Sequence, residues 1–143
     1  MIFCIGEILA DMICERRNEG IFYKRCLGGA PFNVACAIKK CGGEVGFYGK
    51  VGDDSIGKAL VTTAKKCGLD HLNIFTDPVR NTTLAFVDLD ENGDRSFTFY
   101  RKNTADFHLL LDEVRDMIAK ANIVHLGSLM LSEQEGRAFA DSV

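Results

Sequence analysis

Four positions near the N-terminus have the residue types and spacing of a ligand-binding site. Asp11 ends a largely apolar strand pattern that starts at Ile2. Gly28 and Gly29 precede a helical pattern whose first turn contains Asn33. A carboxylate accepts hydrogen bonds from hydroxyl groups, a side-chain amide both donates and accepts, and a glycine pair lets the backbone approach a bound molecule closely. Together these groups predict a pocket for a polyhydroxylated ligand such as a sugar.

Each of these residues also has a purely structural interpretation. Asp11 could be a turn or cap residue, and the glycine pair could be a turn that Asn33 caps. Pro31 suits the first helical position under either interpretation. The binding interpretation is favoured because loops at the carboxyl ends of strands usually build the site in open α/β sheets.

The elements that must position these residues alternate between strand and helix patterns. Helical spacing of apolar residues appears over residues 31–41, 55–67 and about 112–121. Buried strand patterns cover residues 2–9, 44–52, 71–75 and 123–131. A capping-box sequence at residues 132–135 predicts the start of a last helix. This alternation predicts an α/β fold with a parallel, doubly wound sheet flanked by helices.

Two segments break the alternation because they have strand patterns alone. Residues 14–26 predict a polar hairpin, and residues 82–101 predict two strands around Asn92-Gly93, a dipeptide typical of hairpin turns. The second segment also resembles a calcium loop, but Phe99 stands where that loop needs a bidentate Glu. We therefore predict two hairpins that form a smaller sheet beside the main one.

Composition and motif searches exclude several classes of function. A net charge of −3 without basic runs argues against nucleic-acid binding. No apolar stretch approaches the roughly 18 residues of a membrane span, and the N-terminus lacks the features of a signal peptide, which predicts a cytoplasmic protein. The six cysteines show no CxxC and are predicted to be mostly buried free thiols. The three histidines are isolated, no metal site is predicted, and neither GxGxxG nor GxxxxGK[ST] occurs.

Residues 28–60, GGAPFNVACAIKKCGGEVGFYGKVGDDSIGKAL, resemble the N-terminal signature of the ribokinase-like (PfkB-type) carbohydrate kinases. The segments IGEILADMI and FTFYRKNTAD are similar to the fructokinase-like branch of that family. Leu9 stands where ribokinases proper carry Asn, which favours fructokinase-like specificity over ribose. The resemblance covers essentially the whole chain.

The resemblance implies a parallel α/β sheet with a small β-sheet lid over the sugar, with lid strands within residues 14–27 and 81–101. It implies transfer of the γ-phosphoryl group of ATP to a sugar hydroxyl, with Mg²⁺ neutralising the phosphates. Carried over by position, Asp11, Gly28, Gly29 and Asn33 would bind sugar hydroxyls. Arg101 would contact the substrate or the transferred phosphate.

The chain also departs from the family. Members continue well beyond this length, and their second half holds a Gly-Ala-Gly-Asp motif that supplies the catalytic base and the anion hole. That motif is absent from residues 1–143. We therefore expect the N-terminal part of a single carbohydrate-kinase domain, without a catalytic residue and inactive alone, that forms a homodimer or larger oligomer through the lid or an exposed sheet edge. Two alternatives remain: a non-catalytic sugar-binding or dimerisation module, and a fragment of a nucleoside kinase.

Overall fold

The computed structural model describes residues 1–89 and 94–143 and contains two four-stranded sheets. The strands are β1 (Ile2–Ile5), β2 (Leu9–Arg17), β3 (Gly20–Gly28), β4 (Val45–Gly52), β5 (His71–Asp77), β6 (Leu84–Leu89), β7 (Arg95–Tyr100) and β8 (Ile123–Leu126). The α-helices are α1 (Ala30–Lys40), α2 (Ser55–Lys65), α3 (Arg115–Lys120) and α4 (Gln134–Ser142). Short 3₁₀ turns cover Ala105–Phe107, Leu111–Glu113 and Leu129–Ser132. None of the helices in the described ranges is long and apolar enough to span a bilayer.

The main sheet has the strand order β5-β4-β1-β8, and all its pairings are parallel. Its core has two parts. Phe32 of α1 and Leu60 of α2 pack with Phe47 in one cluster, whereas Met130 and Phe139 pack with Tyr48 in the other. Adjacent residues of β4 thus belong to different clusters, as expected for a strand covered on both faces. The prediction of a parallel sheet flanked by helices is confirmed.

The second sheet has the order β3-β2-β6-β7. β2 is antiparallel to β3 and parallel to β6, and β6 is antiparallel to β7. Both segments predicted to be β-only contribute to it, so the strand pairing of the two hairpins is confirmed. The predicted Asn92-Gly93 turn lies outside the described residues.

The apolar run at the N-terminus is divided between the two sheets. A single strand was expected over residues 2–9, but β1 ends at Ile5 and β2 starts at Leu9. Gly6 between them has φ +146°, a conformation that residues with a Cβ rarely adopt. The chain therefore leaves the main sheet at Gly6, and the second sheet begins before residue 14.

The C-terminal elements differ from the sequence-based expectation at their boundaries. The strand predicted over residues 123–131 stops at Leu126, and the residues after it form a 3₁₀ turn. The predicted capping box does not form, because the Ser132 hydroxyl donates to the carbonyl of Leu129 (2.9 Å) and α4 has no side-chain cap. The helix expected near 112–121 is a 3₁₀ turn followed by the short α3.

All six cysteines are free thiols, as predicted. Their burial follows the prediction only in part. Cys4 is buried and Cys41 is exposed, while the other four are partly buried.

Candidate functional site

Asp11 and Gly28 lie together on one face of the second sheet. Asp11 pairs with Cys26 and Gly28 pairs with Leu9, so the two are diagonal neighbours across β2 and β3. A Cβ built on Gly28 would lie 2.2 Å from Oδ2 of Asp11. Gly28 therefore leaves the space that the Asp11 carboxylate occupies.

The position of Asp11 corrects the sequence analysis in one respect. The strand that contains it belongs to the second sheet, and Asp11 is the third residue of that strand instead of its end. The side chain is thus fixed by a strand pair and does not lie in a loop after β1.

The Asp11 carboxylate makes no hydrogen bond or ion pair with any residue in the described part of the chain. Partial burial raises the pKa of this carboxyl above its usual value. A partly buried carboxylate without a donor is unfavourable in the free protein, and a hydroxyl group of a ligand would supply that donor. A turn or cap role for Asp11 is not what the structure shows.

Gly29 and Asn33 lie at the start of α1. Gly29 is the N-cap with φ +116°, and the helix has no side-chain cap. The backbone N–H of Asn33 donates to the carbonyl of Gly29 (2.9 Å), whereas its side chain is exposed and unbonded among the described residues. Asn33 therefore does not cap α1, and its amide is available to a ligand.

Glu7 forms a hydrogen bond to the first residue of α1 and was not singled out by the sequence analysis. Glu7 is 3% exposed, and its Oε1 accepts a hydrogen bond from the backbone N–H of Ala30 (3.2 Å). Burial raises the pKa of its carboxyl. The other oxygen, Oε2, is buried without a hydrogen-bond partner within the described residues. The only sequence signal is an acidic residue in an otherwise apolar run.

Arg101 is buried and held by several groups at once. Its Nε donates to Oδ2 of Asp106 (2.7 Å), and Nη1 donates to Oγ of Ser132 (2.7 Å). The guanidinium lies 4.9 Å from the ring centroid of Phe107, within cation–π range. Nη2 is buried and has no partner among the residues described. Within the described residues, Arg101 thus forms no hydrogen bond with Asp11, Gly28 or Asn33. Its positive charge nevertheless lowers the pKa of the Glu7 carboxyl, against the larger effect of burial.

Asp106 organises the surroundings of Arg101. It is 1% exposed, and its Oδ1 accepts hydrogen bonds from the hydroxyls of Thr83 (2.5 Å) and Thr104 (2.7 Å). A buried ion pair of this kind requires all its remaining lone pairs to be satisfied. Sequence analysis missed Asp106 because its bond to Thr83, 23 residues earlier in the chain, becomes apparent only in the folded structure.

Two cavities adjoin these residues. One, of about 210 Å³, is lined by Asp11, Ile13, Val87, Arg95 and Phe97. These residues share the Asp11 face of the second sheet, since Ile13 pairs with Val87 and Val87 with Phe97. The other, of about 340 Å³, is lined by Asn81, Thr82, Leu84, Phe99, Tyr100, Arg101, Lys102 and Thr104. Asp11 therefore lines the first cavity and Arg101 the second. The other predicted residues, Gly28, Gly29 and Asn33, line neither of the two.

The residues present do not fit a Mg²⁺ site. Across residues 1–89 and 94–143, no group of three or more His, Cys, Asp or Glu side chains could hold a metal ion. The sequence also lacks the familiar phosphate-binding loops.

Comparison with known proteins identifies the family. The model of the pfkB family of carbohydrate kinases matches residues 1–141. A probable fructokinase-5 of Arabidopsis thaliana is 41% identical over 142 residues, which cover 96% of this chain and 44% of that protein. This chain thus spans less than half the length of that relative.

Solved structures with the same architecture include two bacterial fructokinases. A fructokinase of Xylella fastidiosa with bound ATP has a TM-score of 0.82 at 33% identity, with coverage of 96% of this chain and 45% of that one. A fructokinase of Vibrio cholerae O395 with fructose, ADP and a calcium ion bound has a TM-score of 0.78 at 33% identity, with coverage of 99% and 44%. The ribokinase-like fold predicted from the sequence is confirmed, and the chain belongs to the pfkB family of carbohydrate kinases.

Proposed function

We propose that residues 1–143 are the sugar-binding part of an ATP-dependent, fructokinase-like sugar kinase. The observation that carries this proposal is the Asp11 carboxylate, which is partly buried, has no donor in the described structure and lies against Gly28. The exposed Asn33 amide, in the first turn of the helix capped by Gly29, adds a donor and an acceptor. Such a set of groups suits the hydroxyls of a sugar.

The relatives support fructose as the first ligand to test. Fructokinases of plants and bacteria resemble this chain over nearly its whole length, and one of the bacterial structures contains fructose. In the whole enzyme, ATP would supply the phosphoryl group, in keeping with the ATP bound to the Xylella fastidiosa protein.

The residues of this chain would act by orienting the sugar. Asp11 would accept a hydrogen bond from one hydroxyl, Asn33 would bind a second, and the backbone at Gly28 and Gly29 would allow the sugar ring to approach. The second sheet would act as a lid that excludes water. Arg101, which lines the larger cavity, would contact the sugar or the transferred phosphate. Phosphoryl transfer depends mostly on positioning and electrostatic stabilisation, and its base would come from residues outside this chain.

Calorimetric titration of the purified chain with fructose and then ribose tests the binding site. We expect wild-type protein to bind fructose and Asp11→Ala and Asn33→Ala to lose about tenfold or more in affinity, since each removes a hydrogen bond to the ligand. Asp112→Ala is the matched control, because that carboxylate is exposed and pairs only with Arg115. A folded wild-type chain that binds neither sugar would contradict the proposal.

An activity assay tests the second part of the proposal. We expect residues 1–143 alone to show no ATP- and fructose-dependent phosphoryl transfer, since the Gly-Ala-Gly-Asp motif is absent from them. Measurable turnover by the purified chain would refute this. Titration with a nucleoside distinguishes the nucleoside-kinase alternative from the fructokinase-like one, because a nucleoside kinase would bind the nucleoside more tightly than fructose.

A non-catalytic sugar-binding or dimerisation module remains the second candidate. It is favoured by the large apolar side chains exposed on the second sheet, among them Phe97 (53%) and Phe99 (47%). Exposed apolar surface of this kind often marks an interaction site.

A further inference from the structure

Glu7 lies where several parts of the candidate site meet. Its backbone carbonyl would be 2.3 Å from a Cβ built on Gly29, and its Oε2 would be 2.6 Å from a Cβ built on Gly127. Its Oε1 bonds the N–H of Ala30. One buried side chain between β1 and β2 thus lies against both the start of α1 and the residue that follows β8.

The contact with α1 replaces a cap that the helix lacks. The first N–H groups of a helix have no partner within it, and an N-cap Ser, Thr, Asp or Asn normally bonds one of them. Gly29 has no side chain with which to do so. Glu7 supplies the acceptor from 23 residues earlier in the chain, and its carboxylate also suits the positive end of the helix dipole.

The caps of α1 and α2 tie their helices to different parts of the chain. In α2 the cap is the adjacent Asp54, whose Oδ1 accepts the N–H of Gly57 (2.7 Å) and whose carboxylate also accepts hydrogen bonds from Thr82. The bond between Glu7 and Ala30 ties the first turn of α1 to the segment that joins β1 and β2. That turn begins at Gly29 and contains Asn33, two of the residues proposed to bind the sugar.

We propose that Glu7 is a positioning residue for sugar binding, which rests on the proposed function. It sets where α1 begins relative to the main sheet, and so places Gly29 and Asn33 against the ligand without contacting it. Its buried location agrees with this indirect role. The acceptor oxygen that bonds Ala30 carries the effect.

Three variants test the proposal: Glu7→Ala removes the acceptor, Glu7→Gln keeps a carbonyl oxygen in its place, and Asp54→Ala removes the equivalent acceptor from α2. Fructose affinity is measured by calorimetry well below the melting temperature of each variant. Amide hydrogen exchange at Ala30 and Asn33 is measured in parallel. We expect Glu7→Ala to bind fructose about tenfold more weakly and to exchange the Ala30 amide about tenfold faster. Glu7→Gln should stay near wild type in both, and Asp54→Ala should lower the melting temperature while fructose affinity is kept.

The outcomes separate this inference from the proposed function. Unchanged fructose affinity in Glu7→Ala would overturn the inference and leave the proposed function intact, whatever the exchange of the Ala30 amide. Equal losses of affinity in Glu7→Ala and Asp54→Ala would also overturn it, since they would indicate a general effect of stability. If wild-type protein binds no sugar, the proposed function fails. Amide hydrogen exchange at Ala30 then decides by itself whether Glu7 fixes the first turn of α1. Faster exchange in Glu7→Ala, without faster exchange in Glu7→Gln, would support that role.

Discussion

At Gly28 the absence of a side chain makes room for the Asp11 carboxylate. We expect Gly28→Ala to weaken fructose binding about tenfold or more, because a Cβ 2.2 Å from Oδ2 must displace that carboxylate. Calorimetric titration of Gly28→Ala, Asp11→Ala and the double variant measures the coupling between the two residues. In the Asp11→Ala background the glycine substitution should have little further effect. Additive losses would show that Gly28 acts independently of Asp11.

The ionisation of Asp11 has a predictable effect on stability. Burial raises the pKa of this carboxyl in the folded state above the usual 3.8, so the folded protein binds the proton more tightly than the unfolded chain does. Folding is therefore penalised once the pH exceeds the raised value, and the penalty disappears below 3.8.

Asp11→Asn removes that penalty. We expect the variant to have a higher melting temperature than wild type at neutral pH, an advantage that vanishes near about pH 3. Thermal unfolding of both proteins across this pH range measures the difference. Parallel curves would mean that the Asp11 carboxylate is as well solvated in the folded protein as in the unfolded chain.

Sequence analysis singled out candidate residues whose type is unusual for their place, and it missed those defined by distant contacts. Asp11, at the end of an apolar run, and the Gly28-Gly29 pair can be recognised in the amino-acid sequence alone. Glu7 and Asp106 became recognisable only when the fold had brought Ala30 and Thr83 to them. A buried hydrogen-bond acceptor is defined by its partners, which a single sequence does not reveal.

At the scale of the element, the N-terminus of α2 depends on Asp54. The N–H groups of Gly57 and Thr82 donate to its carboxylate at 2.7 and 2.8 Å. Desolvation raises the pKa of Asp54, but these bonds and the Thr82 hydroxyl outweigh it, so the pKa is lowered. Asp54 therefore stabilises the fold above 3.8, and this contribution is lost as the pH falls through the lower folded-state pKa.

We expect Asp54→Ala to reduce the free energy of unfolding by about 1 kcal/mol at neutral pH, the usual cost of a lost N-cap. The deficit should shrink in acid. Urea unfolding at neutral and acidic pH measures it. Asp53→Ala is the matched control, because the Asp53 carboxylate pairs with Lys58 on the surface and exposed pairs contribute little. An equal deficit for both variants would show that the cap has no special role.

The order of the elements was predictable because their apolar spacing is regular, but several of their boundaries were not. The apolar pattern continues through Gly6, so nothing in the periodicity indicates that the chain changes sheets there. At the C-terminal end the capping box does not form, because the Ser132 hydroxyl donates to the Leu129 carbonyl of the preceding 3₁₀ turn and accepts from the distant Arg101. Local patterns predict what a segment can form, whereas distant partners decide which option is realised.

At the scale of the whole molecule, the second sheet presents exposed apolar side chains on one face. Asp11, Ile13, Val87, Phe97 and Phe99 share one face of the second sheet by register. The two phenylalanine rings are stacked with their centroids 6.2 Å apart. This face therefore combines the candidate binding residue with an exposed apolar surface, and a second copy of the chain would cover part of it.

We expect the chain to self-associate through this face and Phe97→Glu to shift it to a monomer, since a buried unpaired charge opposes association. Ile21→Glu is the matched control: Ile21 is 65% exposed, but its register places it on the opposite face of the same sheet. Sedimentation velocity over a range of concentrations distinguishes the variants. A monomeric wild type would contradict self-association, and loss of association in both variants would point to the sheet edge. Loss in Phe97→Glu alone would place the interface on the Asp11 face, so that sugar binding and assembly would share one surface.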